Sequence, residues 1–141
     1  MTFSVKIGDW HAQQLHARAV RDDVFINEQN IPVALEWDEM DSVSLHAVAY
    51  GEAGLAIGTG RLLPDGHIGR MAVTRAMRGA GVGGAILHAL MQAARVRGDK
   101  AVVLSAQTRA ASFYLRHGFA SEGGEFMEAG IPHVQMRHVF S

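Results

Sequence analysis

The sequence predicts an α+β fold: a mostly antiparallel mixed sheet with one parallel strand pair and flanking helices. Three observations lead there. Stretches of strand-like alternation are joined by short turn sequences such as "PDG" at Pro64–Gly66. Two long segments carry apolar residues at helical spacing. "AVVLS", Ala101–Ser105, is apolar almost throughout, as strands covered on both faces are. It follows a helix that itself follows a strand, the order of a parallel crossover.

The elements follow in chain order. "FSVKI" alternates and reads as a short strand. Asp9 is the N-cap of a helix expected from Trp10 to about Asn27, with Leu15, Ala19, Val20 and Val24 near one face. An irregular acidic loop, "EQNIPVALEWDEMD", comes next. "SLHAVAY", "LAIGTGRLL" and "HIGRMAV" then read as an antiparallel meander around a Gly51–Gly54 turn and the Pro64–Gly66 turn. A glycine-rich turn opens a second helix running to about Arg97. Its apolar stripe is Val82, Ile86, Leu90 and Ala94 with Leu87 and Met91, and Gly98 closes it. After "AVVLS", a short helix spans about Thr108–His117 and stops at Gly118. "FASEGGEFMEAGIPHVQMRHVF" supplies two last strands.

Composition bounds the function. The chain has 141 residues, so residues 1–141 are expected to form one domain. It is 48% hydrophobic and 19% charged, the balance of a globular protein. Its net charge of −1 has no concentrated sign, so neither nucleic acid nor an anionic membrane is expected as a partner. There is no cysteine, which removes disulfides, thiolate zinc sites and acyl-cysteine intermediates. Of the eight histidines, no pair has the helical spacing of H-E-x-x-H, and no metal is expected. "MTFSVKIGDW" lacks the features of a signal peptide, and a cytoplasmic location is expected.

The stretch "RMAVTRAMRGAGVGGAILHAL" concentrates the chemistry. Gly79, Gly81, Gly83 and Gly84 crowd the start of a helix, where unpaired backbone N–H groups and the helix dipole favour an anion. Arg78 stands at the lip. "GAGVGG" fits G-x-G-x-x-G, but "TRAMR" separates it from its strand, and "SAQT" stands where a dinucleotide site wants an acid. A Walker A loop would need Lys and Ser/Thr after Gly84. A tight turn with close helix–sheet contact is the plainer alternative, but it needs fewer glycines. A pyrophosphate is the better match.

This stretch resembles the acetyl-CoA-binding segment of the GNAT superfamily of N-acetyltransferases, a strand and short spacer followed by Arg/Gln-x-x-Gly-x-Gly/Ala at a helix start. Arg78, Gly81 and Gly83 take those places. "TRAASFYLRHGF" resembles the second signature of that superfamily through Phe113, Tyr114, Gly118 and Phe119. "VFINEQNIP", "IGRMAV" and "GIPHVQM" resemble its ElaA-like branch. The resemblance implies the fold of that superfamily, with a splayed pair of parallel strands ending near Val73 and Ser105, and acetyl-CoA as cosubstrate, its pantetheine arm in the gap along the "MAV" strand. The acyl carbonyl would meet a backbone N–H of Met71, Ala72 or Val73. The diphosphate would sit over Arg78, Gly79, Ala80, Gly81, Val82, Gly83 and Gly84, with Phe113 nearby. It further implies transfer to a small-molecule or peptide amine, and leaves open a homodimer through terminal strands.

Tyr114 is implied to protonate the departing CoA thiolate; packing beside Ala110 and Ala111 is the alternative. The base stays open among Glu28, Glu128 and His133. His46, Arg61 and Arg70 lie on strands close by. Surface charge is the plain alternative for the two glutamates, a hydrogen-bonded turn residue for His133, and a satisfied core histidine for His46. Arg61 and Arg70 would equally pair with acids of "EWDEMD" in a purely structural cluster. Absence of cysteine favours direct attack in a ternary complex. A catalytically inactive acyl-CoA sensor and another phosphate-ligand-binding domain are the rival readings.

Overall fold

The computed structural model of the chain describes residues 2–33 and 38–141. Strand β1 (Ser4–Asp9) runs directly into helix α1 (Trp10–Arg21), whose start is capped by the Asp9 carboxylate accepting from the Ala12 N–H at 2.9 Å. After Arg21 the helix widens into a π-helical segment, Asp22–Glu28. Its buried face is Gln13, Ala17, Val20 and Val24. Leu15 and Ala19, expected on that face, turn to solvent, Leu15 with 75% exposure. The reason is polar. Gln13 points inward because its amide donates to the Lys6 carbonyl at 2.9 Å, and Leu15 lies about 200° around the helix from it.

The meander follows as β2 (Leu45–Tyr50), β3 (Ala56–Leu62) and β4 (His67–Val73). Helix α2 (Val82–Arg97) and strand β5 (Ala101–Gln107) complete the crossover. Helix α3 (Ala111–Arg116) and the hairpin β6 (Ala120–Glu128) and β7 (Ile131–Val139) close the chain. The strands form one sheet in the order β1-β2-β3-β4-β5-β7-β6, antiparallel except for β4 and β5. Among the described residues, no helix is long and apolar enough to cross a membrane.

The two faces of the sheet are covered differently. Helix α2 lays Val82, Ile86, Leu87, Leu90 and Ala94 on one face, all fully buried, as its stripe predicts. It comes close because β3 carries Gly60 beneath it: a Cβ there would stand 2.8 Å from Leu90 Cδ1. On the other face α1 and the π-helical segment bring Val20, Val24 and Phe25 onto Ala72.

An ionic cluster lies under α1. Asp41, in a 3₁₀ turn (Glu39–Val43), is 5% exposed. It accepts from Arg21 at 2.9 and 3.2 Å and from Arg61 at 3.1 Å. Asp38 binds Arg61 at 2.7 Å and Arg70 at 3.1 Å. The strand arginines therefore do pair with the acidic loop. Glu36 of that loop lies outside the described residues. His46 donates through Nε2 to the Asp41 carbonyl, 2.9 Å away, and packs on Trp10 at 4.7 Å between ring centres. Because a carbonyl only accepts, the His46 Nε2 carries the proton, and burial holds its pKa below the usual value. It is a satisfied core histidine.

Asp41 is thus the shared counter-ion of two buried guanidinium groups. Asp41→Asn keeps the shape and removes the charge, which should lower the unfolding free energy by about 3 kcal/mol or more. Urea unfolding of the variant measures this; a loss within error of zero would mean the cluster is solvated in solution.

Candidate active site

β4 and β5 are in register only at His67 with Val103 and Ile68 with Leu104. Beyond those positions they part. The cause is visible in β4. Thr59 pairs with Ala72 and Arg61 with Gly69, so Arg70 and Met71 together face Gly60. That is a β-bulge, and Arg70 has φ +50 within it. The bulge bends β4 off the line of β5. Its only sequence signal is an isolated glycine, Gly69, inside a strand pattern.

The alternation of the strand decides which backbone groups face the gap. The Thr74 N–H donates to the Ile57 carbonyl at 2.9 Å, toward β3. Ala72, two residues earlier, presents its N–H and C=O to β3 as well. Those of Met71 and Val73 point into the gap. Of the three residues expected to meet an acyl carbonyl, Ala72 therefore contributes its buried side chain, and the backbone donors on offer are Met71 and Val73.

The gap opens into a cavity of about 1070 Å³. Glu28, Met71, Ala72, Val73, Arg78, Gly83, Phe113, Tyr114, Glu128 and His133 all line it. The remaining glycine-turn residues stand at its lip or behind it. Val82 is core, 1% exposed, and Gly84 faces His117. Gly81 precedes the first turn of α2 with φ +85, and Gly79 has φ +84, conformations that side chains other than glycine rarely adopt. Among the described residues, no side chain caps the start of the helix. The first N–H groups of α2 are therefore available to an anion, and a diphosphate fits this cradle of backbone donors. Gly83 has ordinary space around it, with a notional Cβ 3.6 Å from Phe113.

Three side-chain groups define the chemistry. Tyr114 lies against Phe113 at 5.0 Å between ring centres and against Phe119 at 6.0 Å. Among the described residues its hydroxyl has no hydrogen-bond partner. Burial pushes the phenol pKa up to about 12, so it stays protonated at neutral pH. His133 is 6% exposed and approaches the Ile131 carbonyl through Nδ1 at 2.7 Å. Nδ1 must donate there, so in the neutral ring the Nε2 lone pair is free. Glu128 Oε2 stands 3.4 Å from that Nε2. Phe126 stacks on the ring with planes 27° apart.

Glu28 is placed differently. Arg78 donates to both of its carboxylate oxygens at 2.7 Å, and Arg75 stands 3.4 Å away. The Arg78 hydrogen bonds, with the charges of Arg78 and Arg75, outweigh partial burial and draw its pKa down to about 2. A carboxylate held this way does not take a proton from an ammonium. Among the described residues no group of His, Asp or Glu is arranged to hold a metal ion.

A family model described as an acetyltransferase (GNAT) domain matches residues 11–140. The uncharacterised N-acetyltransferase YjcF of Bacillus subtilis (strain 168) is 43% identical over 120 residues, covering 83% of this chain and 86% of that protein. An acyl-CoA N-acyltransferase from Pseudomonas aeruginosa is similar in structure with a TM-score of 0.86 at 31% identity, covering 98% of this chain and 100% of the other. Escherichia coli ElaA has a TM-score of 0.86 at 25% identity, covering 97% and 99%. The ElaA likeness read from the sequence thus has a structural counterpart.

Proposed function

The chain belongs to the GNAT acetyltransferases, and from that premise we propose that it moves an acetyl group from acetyl-CoA to an amine by direct attack in a ternary complex. One observation carries the reading: a gap between two strands, with the alternating backbone of β4 turned toward it along one edge, ends in a glycine-rich helix start that Gly81 leaves without a side-chain cap. That is the shape of an extended ligand with an anion at one end. The thioester supplies the activated carbonyl carbon. The Met71 and Val73 N–H groups are the donors for its oxygen. The N-terminus of α2 receives the diphosphate. A small-molecule amine and a peptide amine are the acceptor classes, and residues 1–141 act as one cytoplasmic domain.

Proton traffic divides between two groups. The acceptor nitrogen attacks the carbonyl carbon, the C–S bond breaks, and the thiolate leaves. His133 Nε2 takes the amine's proton, directly or through water, and the imidazolium so formed is met by Glu128. The hydrogen bond from Nδ1 to Ile131 fixes the ring for that role. Tyr114 faces the departing sulfur. A phenol near 12 is a weaker acid than an alkyl thiol at about 8.5. Tyr114 therefore stabilises the thiolate by donating a hydrogen bond, and complete proton transfer falls to water. Glu28, bound by two arginines, is not the base in this state.

The cosubstrate is tested by thermal shift and calorimetry: acetyl-CoA, but not NAD or ATP, should raise the melting temperature. Gly83→Asp adds a carboxylate where the diphosphate must sit, and the space around it is adequate for the fold. Affinity for acetyl-CoA should fall more than about tenfold; unchanged affinity in the folded variant would move the diphosphate elsewhere. Catalysis is tested by thioester cleavage over a panel of amines, which also separates an enzyme from an inactive sensor. Tyr114→Phe should lower kcat by about 10- to 100-fold, less than full general-acid catalysis because only a hydrogen bond to the thiolate is lost, with acetyl-CoA affinity kept. Wild-type kcat would leave Tyr114 a packing residue. His133→Gln should depress turnover at neutral pH and recover as pH rises and free amine accumulates. A parallel pH–rate profile would assign the proton to another group.

A further inference from the structure

No strand pairing joins β4 to β5 beyond Ile68 and Leu104, yet two residues bridge them on the α1 side. Glu28 reaches the end of β4 through Arg78, whose Nε donates to the Val73 carbonyl at 3.0 Å while its terminal nitrogens hold Glu28. Gln29 reaches β5, where the Gln107 amide donates to its side-chain oxygen at 3.1 Å. The end of the π-helical segment thus spans the mouth of the gap.

We propose that residues 28 and 29 form a strap across the α1 side of the gap, latched by Arg78, and that Glu28 and the diphosphate of the cosubstrate compete for the same guanidinium. The inference rests on the reading of this cleft as an acetyl-CoA site. Arg78 immediately precedes the Gly79–Gly84 turn, so an anion on that turn lies beside its side chain. A guanidinium presents a pair of N–H groups that matches a carboxylate or a phosphate, and Glu28 now occupies that pair. The Arg78 side chain is 41% exposed, so the ion pair is screened by solvent and one anion replaces the other at small cost. When Arg78 turns to the diphosphate, Glu28 keeps only its longer contact with Arg75. Its carboxylate is then available to a cationic acceptor, and the strap is free to move.

The test compares wild type, Glu28→Gln and Glu28→Asp. Acetyl-CoA is titrated by calorimetry, and S-acetylpantetheine, which lacks the diphosphate, by NMR. Glu28→Gln keeps the shape but gives up the charge. It should bind acetyl-CoA about two- to fivefold more tightly than wild type, the scale of an exposed ion pair. Its affinity for S-acetylpantetheine should not change. Glu28→Asp is too short for the two-point contact and should shift the same way, which carries the test if the glutamine variant does not fold. Acetyl-CoA affinity that is equal or weaker, or an equal gain for both ligands, overturns the latch. A wild-type protein that binds neither ligand overturns the cosubstrate reading itself, and the latch with it.

Discussion

The parallel pairing of β4 and β5 stops after Ile68 and Leu104. A sheet interrupted in this way exposes backbone donors and acceptors in its interior, where they are costly to leave without a partner. The bulge at Arg70 creates the interruption, and the surrounding elements keep it open. Helix α2 supports β3 and β4 from one face through its apolar stripe. The π-helical segment packs on Ala72 from the other. The hairpin β6–β7 extends the sheet past β5 and carries His133 and Glu128 to the rim. The cavity is therefore a consequence of strand geometry, and its lining is whatever those three supports place along it.

Two charge networks flank the interruption and differ in burial. The Asp38–Asp41 cluster holds Arg21, Arg61 and Arg70 beneath α1, and its central carboxylate is nearly inaccessible. Removing one partner there strands a charge in a poor solvent, so the network is rigid. It anchors the bulged strand at Arg70. The Glu28–Arg78 pair is open to water on its Arg78 side, and solvent screens it. The first network suits a fixed edge. The second suits a contact that a ligand rearranges.

The groups proposed for catalysis show the same use of environment. Tyr114 keeps its proton because the aromatic wall around it disfavours a phenolate. His133 keeps one nitrogen committed to a carbonyl and leaves the other free. The proposed acid–base roles of both residues involve no thiolate, in keeping with a sequence that contains no cysteine.

Local features were legible in the sequence. The order of elements, the Asp9 cap, the stripe of α2, the glycine-rich helix start and the aromatic pair after β5 all depend on residues a few positions apart, and short-range geometry settles them. The candidate cosubstrate-binding segments were readable for the same reason, since Arg78 to Gly84 and Phe113–Tyr114 form compact motifs. What the sequence did not contain was decided by contacts between distant segments. Leu15 faces water because Gln13 finds a carbonyl on β1 and takes the inward position. The bulge at Arg70 depends on its partner strand β3 and on Asp38, 32 residues earlier. Glu28 met its partner Arg78 only across 50 residues of chain, and that meeting turned a candidate base into a bound counter-ion. Periodicity records which face a residue prefers. Which charge lies opposite it is a property of the folded chain alone.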